Sequence, residues 1–175
     1  MSQIASIASP VLGTSKSSAD LALRAAGVVG FAALTALASQ WSIPVPGTPV
    51  PMTLQTLAVT LCAFTMGPRL GLMSMLLYFA AAAAGAPVLA DGAGGWNTAI
   101  GATGGYLLGF MLAQPVMAFA ARNGKAFGGA KALLAALVMG NATIFAAGVT
   151  WLAIHQNLSL ADALDQGLWP FLPGS

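Results

Sequence analysis

The residues best suited to hold a ligand crowd into one stretch, from Gly85 to Gly105, in which seven positions are glycine. That density lets the main chain turn tightly, take positive φ and approach a bound molecule closely. Gly94, Gly95, Trp96 and Asn97 stand inside it, and it closes on Thr103, Gly104, Gly105 and Tyr106. Aromatic rings, an amide and bare backbone can wall a small organic molecule and satisfy a few polar groups on it. A helix starting at Thr103 would aim unpaired N–H groups and a positive dipole end at the same place, which suits a carboxylate. The plainer alternatives are that Thr103 is an ordinary N-cap and that the glycines serve turns and helix crossings alone.

Other chemistries lack their residues. Cys62 is the single cysteine and sits in the apolar run TLAVTLCAF, so it makes neither an internal disulfide nor a metal cluster and reads as a small core residue. His155 is the one histidine, with no HExxH pattern around it, and reads as an interfacial or core side chain. The glycine-rich stretch has no Gly-Lys-Ser/Thr, which leaves a nucleotide-hydrolysing loop unsupported. A sequence pI near 9.0 rests on a net charge of only +2, too little for a nucleic-acid-binding stripe. We therefore expect a binding protein, not an enzyme, with no cofactor, no metal and no nucleic acid.

The elements that must position these residues lie in lipid. Of 175 residues 58% are hydrophobic and 6% charged, where a soluble domain carries about 25% charged residues. Such a chain has too little polar surface to face water. Proline, glycine and charge clusters cut it into five candidate spans of roughly residues 21–41, 52–66, 70–86, 103–121 and 132–154. The fold class expected is an all-α polytopic bundle with long structured external loops. Residues 1–20 form a polar cytoplasmic leader in which Ser18 or Asp20 caps the first helix, and 21–175 form one membrane-embedded domain. The second span is short and requires tilt or shielded non-helical backbone to complete it. It joins the third through GPRLG, where Gly67 can close a helix in the left-handed conformation and Pro68 can open the next. After the fifth span a short amphipathic helix is expected over 161–166, capped by Ser159.

All six basic residues, Lys16, Arg24, Arg69, Arg122, Lys125 and Lys131, fall on one face of this topology. The other face receives the uncharged proline loop, the glycine-rich loop with Asp91, and Asp162 with Asp165. The positive-inside rule makes the basic face cytoplasmic and the glycine-rich face external. Gln55 and Tyr106 then sit near the external end, where each can line a cavity or make an interhelical bond. Tyr78, Asn141, Thr143 and Trp151 read as interhelical hydrogen bonds or interfacial anchors. The first helix carries rows of small residues, Ala22, Ala26 and Gly30 on one and Ala32 and Ala36 on another, suited to internal packing or to docking of another membrane protein.

The runs PVPMTLQTLAV, GPRLG, YFAAAAAGAPVLADGAGG, GATGGYLLGF and WPFLPG occur here in that order. In this the chain resembles the biotin transporter family, the substrate-capture (S) components of energy-coupling factor (ECF) transporters, over most of its length from about residue 21. The resemblance implies six membrane helices in the family and biotin bound at the external side as transported ligand. The loop between helices one and two and the long loop between three and four would close the pocket. It implies a transmembrane coupling subunit, docking on an Ala-x-x-x-Ala pattern matched by Ala32 and Ala36, and cytoplasmic ATPase subunits. Gln55, Asn97 and the glycines would make polar contacts, with Trp96 and Tyr106 as apolar or stacking wall. The chain departs from the family at Ala102, where a proline is usual, and after Gly174, where an Asp, a Lys and a sixth helix are usual. No residue here is assigned the roles of that Asp and Lys, and five spans are expected. The alternatives are an S component for another small vitamin, a truncated fragment, an intramembrane enzyme and a ligand-free packing protein.

Overall fold

Helix α1 (Ser18–Gln40) begins where the polar leader gives way to alanine and leucine. Neither Ser18 nor Asp20 caps it: Ser17 occupies the N-cap, with no side-chain cap bond, and its carbonyl accepts from Leu21 N at 3.1 Å. Asp20 lies in the first turn, where a negative charge favours the dipole, and pairs with Arg24 one turn on at 3.1 Å. The structure is a computed structural model that describes residues 17–123 and 129–172. The leader before Ser17, and with it Lys16, lies outside the described residues, as does Lys125.

The prolines after α1 forbid a helix, and the chain instead forms a small antiparallel hairpin. Strand β1 (Ser42–Ile43) pairs with β2 (Met52–Thr53), Ser42 opposite Thr53 and Ile43 opposite Met52.

Helix α2 (Gln55–Ala83) is one assigned element with a break at Gly67, whose φ of 75° and ψ of −177° belong to glycine alone. The break reverses the chain. Gln55 and Tyr78, 23 residues apart, are joined by a 2.6 Å hydrogen bond, although a straight helix would separate them by about 35 Å. The expected helical hairpin is thus present, with arms 55–66 and 68–83. The first arm, about 18 Å long, is too short for the hydrocarbon layer. The β1–β2 segment precedes it and supplies the non-helical backbone that the short span required.

The glycine-rich loop follows, holding a 3₁₀ turn (Ala90–Gly92) and the one-turn helix α3 (Trp96–Ala99). Then come α4 (Gly104–Asn123), α5 (Gly129–Gln156) and the short α6 (Leu160–Gly167). Ser159 caps α6 as expected, its hydroxyl accepting from Asp162 N at 3.2 Å. A 3₁₀ turn (Trp169–Phe171) ends the described chain.

The helices pack in the order α1, α2, α4, α5, with α6 against α5 and α4–α5 the most extensive contact. Close approach there depends on small residues. A Cβ at Gly109 would stand 2.8 Å from the Ile144 backbone, and Gly105 sits against Trp151 and the Ala147 carbonyl in the same way. The core includes Val59, Cys62, Met75, Met117, Ile144 and Leu152, whereas Leu34, Leu61, Leu112 and Val138 point outward. Among the described residues four helices, α1, α2, α4 and α5, are long and apolar enough to cross a membrane. With α2 folded back on itself, the five expected segments are α1, its two arms, α4 and α5.

Gln114 is wholly buried between α4 and α2, donating to the Val59 carbonyl at 3.0 Å and resting on Gly71, where a side chain would collide with it. Ala32 is only 7% exposed and Ala36 packs against the core, so this pair faces the bundle interior. Ala22, Ala26 and Gly30 form the small-residue row that α1 leaves exposed.

Candidate functional site

A cavity of about 240 Å³ opens at the end of the bundle where the β1–β2 hairpin and the glycine-rich loop meet. Five parts of the chain wall it. Val50 to Thr53 lead into α2, whose first turn contributes Gln55 and Thr56. The glycine-rich loop gives Leu89 and Ala90, and α4 gives Tyr106, Leu107 and Phe110, with Thr103 just ahead of it. Asn141, Ile144 and Phe145 come from α5, and Phe171 from the final 3₁₀ turn. The lining is mainly apolar with a few neutral polar groups, the usual composition of a small-molecule site.

Gln55 is buried and doubly engaged: its amide nitrogen donates to Tyr78 Oη at 2.6 Å and its amide oxygen accepts from Thr53 Oγ1 at 3.0 Å. Tyr78 in turn donates to the Val88 carbonyl at 3.0 Å, which also accepts from Ser39 Oγ at 2.7 Å. Gln40 donates to the Leu89 carbonyl at 3.0 Å, and the Ser42 hydroxyl bonds Asp91. The last turn of α1 and Ser42 of β1 therefore clamp the stretch Val88 to Asp91, and Leu89 is held as cavity wall.

Tyr106 sits in a slot between Gly148 and Gly167, where any larger residue would strike its ring or hydroxyl. Its hydroxyl donates to the Gly167 carbonyl at 2.7 Å, and its ring meets Phe145 edge-on at 6.3 Å. Phe145 continues to Phe171 at 5.9 Å. These contacts draw the segment after α6 over the cavity.

The structure brings Gln55, Thr103 and Tyr106 to this one cavity. The remaining candidates are placed differently. Gly94 and Gly95 press the loop on the end of α2: Gly95, at φ 97°, donates to the Ala82 carbonyl at 2.7 Å. A side chain at Gly94 would strike the Ala86 carbonyl. Gly104 and Gly105 are occupied with Trp151 on α5, whose indole donates to the Gly101 carbonyl at 2.8 Å. Trp96 is 57% exposed and lies edge-on to Phe79 at 6.4 Å, outside the cavity wall, as is the exposed Asn97. Their separation from the cavity follows from the local geometry of α3, which turns both side chains outward.

Two readings of polar residues change. Asn141 makes no interhelical bond among the described residues; its amide donates to the Leu137 carbonyl one turn back at 2.9 Å, and the residue lines the cavity. Thr143 likewise bonds back along its own helix, to Met139. Asn141, Ile144 and Phe145 stand at i, i+3 and i+4, a spacing that places them on one face and could have marked that stripe. Leu89, Ala90 and Phe171 carried no local signal, because only the folded loop and the returning C-terminal segment bring them together.

The fold so described is an S-component fold. It superposes with a TM-score of 0.79 on the crystal structure of the S-component for biotin from an ECF-type ABC transporter, covering 88% of this chain and 84% of that one at 23% identity. The chain belongs to the BioY family, whose model matches residues 12–175. It is 36% identical to a probable biotin transporter BioY of Pyrococcus horikoshii over 142 residues, 81% of this chain and 80% of that protein. It is 35% identical to the biotin transporter BioY of Thermotoga maritima, again over 142 residues and with the same coverage of both chains.

Proposed function

We propose that this protein is the membrane subunit that captures biotin for uptake, binding it in the cavity between the β1–β2 hairpin, the glycine-rich loop and α4–α5. The observation that carries this reading is a neutral, largely apolar cavity of about 240 Å³ at one end of the bundle of a BioY-family chain. Biotin presents an apolar chain and thioether to such a wall, and a ureido group and a carboxylate to its few polar groups. Tyr106 and Gln55 shape the wall, Thr103 stands at the mouth, and Gly94, Gly95, Gly104 and Gly105 support the reading by holding the loop and α4 in place, with Trp96 and Asn97 on the outer side of the loop. The chain performs no catalysis of its own and needs no cofactor.

The exposed Arg24, Arg69 and Lys131 lie toward the opposite end from the cavity, which supports an external mouth and a cytoplasmic N-terminus in the cell membrane. Uptake then requires a transmembrane coupling subunit and cytoplasmic ATPases of the ECF type. We infer that the coupling subunit docks along α1, where the exposed Ala22, Ala26 and Gly30 row runs beside the buried Ala32 and the half-buried Ala36. Equilibrium binding of labelled biotin to the chain purified in mild detergent tests the assignment. Saturable binding displaced by unlabelled biotin and not by other vitamins is expected. Displacement by another vitamin, or no binding, would overturn it.

A further inference from the structure

Of the polar side chains around the cavity, Gln55 and Thr53 bond each other, Gln55 holds Tyr78, and Tyr106 holds the Gly167 carbonyl. Thr56 and Thr103 bring hydroxyls with no side-chain partner among the described residues. Asn141 is the amide of the lining whose oxygen is left open. The bond from its amide nitrogen to the Leu137 carbonyl fixes which way the amide faces, and leaves the amide oxygen and the second N–H without a partner among the described residues. An amide in the middle of a membrane helix is costly unless its groups are satisfied. Asn141 shares its helix face with Ile144 and Phe145, which line the same cavity. It also lies one turn farther than Phe145 from the end of α5 where Trp151 binds the glycine-rich loop, so it stands at the deep end.

Resting on the biotin reading, we propose that Asn141 is the specificity-determining residue for the ureido head, which enters first and stacks its ring system among Ile144, Phe145 and Phe110. An amide offers one acceptor and one donor, the complement of a cyclic urea's N–H and carbonyl. The head is neutral, as are all the polar side chains of the lining. The aliphatic tail then runs toward Thr103 and the carboxylate faces the mouth.

The test compares biotin with 2-iminobiotin, which carries a guanidinium in place of the urea at neutral pH, on the purified chain and on Asn141→Leu and Asn141→Asp. Asn141→Leu is expected to bind biotin about 10- to 100-fold more weakly, the effect of losing a buried hydrogen-bonding pair. Asn141→Asp is expected to invert the preference, favouring 2-iminobiotin through an ion pair between its carboxylate and the guanidinium. That ratio is measured within one folded variant, so poor yield of the leucine protein does not obscure it. An unshifted ratio in Asn141→Asp, or parental affinity in Asn141→Leu, overturns the assignment while leaving biotin capture intact. Failure of the unsubstituted chain to bind biotin overturns both.

Discussion

The Gln55 amide and the Tyr78 hydroxyl meet at 2.6 Å across the two arms of α2, joining the first turn beside the cavity to the helix that carries the glycine-rich loop. Tyr78 passes the connection on to the Val88 carbonyl, one residue before the cavity-lining Leu89. The hydroxyl is thus the hinge pin between two walls of the site.

Tyr78→Phe keeps the ring and removes that pin. The Val88 carbonyl retains Ser39, but the buried Gln55 donor loses its acceptor, at a cost of about 1–3 kcal/mol. Thermal unfolding in detergent should show the loss, and titration with labelled biotin should show weaker binding. Unchanged stability and affinity would show that the bond bears no part of either.

The clamp from α1 predicts a kinetic effect. Ser39→Ala combined with Gln40→Ala removes the donors that α1 sends to the Val88 and Leu89 carbonyls, leaving Val88 only Tyr78. Hydrogen exchange over residues 84–95 should quicken, and bound biotin should leave faster with little change in association rate, since the loop opens more often. Equal exchange in both proteins would count against the clamp.

Tyr106 separates two roles by two substitutions. Tyr106→Phe keeps the ring against Phe145 and loses the bond to Gly167, so affinity should fall by about 10-fold. Tyr106→Ala also empties the slot beside Gly148 and should weaken binding further while membrane insertion persists. Parental affinity in the alanine variant would remove Tyr106 from the site.

Gly67→Ala should destabilise the chain by about 1–3 kcal/mol, because an L-residue is strained at φ 75°, ψ −177°. Gly30→Ala, in open space within α1, provides the control and should stabilise by about 0.5–1 kcal/mol through helix propensity. The two variants are distinguished by their unfolding temperatures in the same detergent.

Features that depend on composition and near neighbours are legible in the residues alone. Low charge and long apolar runs dictate a membrane bundle; Gly67-Pro68 dictates the reversal inside α2; Ser159 dictates the start of α6. Each signal lies within a few residues of the element it shapes. The motif order also carried the family. The tertiary structure decided which polar groups face the cavity, since Ser39 meets Val88 across 49 residues and Tyr106 meets Gly167 across 61. It turned Trp96 and Asn97 outward, set Ala32 and Ala36 inward and left Asn141 with an open amide edge. Those outcomes depend on how α1, the loop and the C-terminal segment pack together, and no local periodicity encodes an apposition between segments so far apart in the chain.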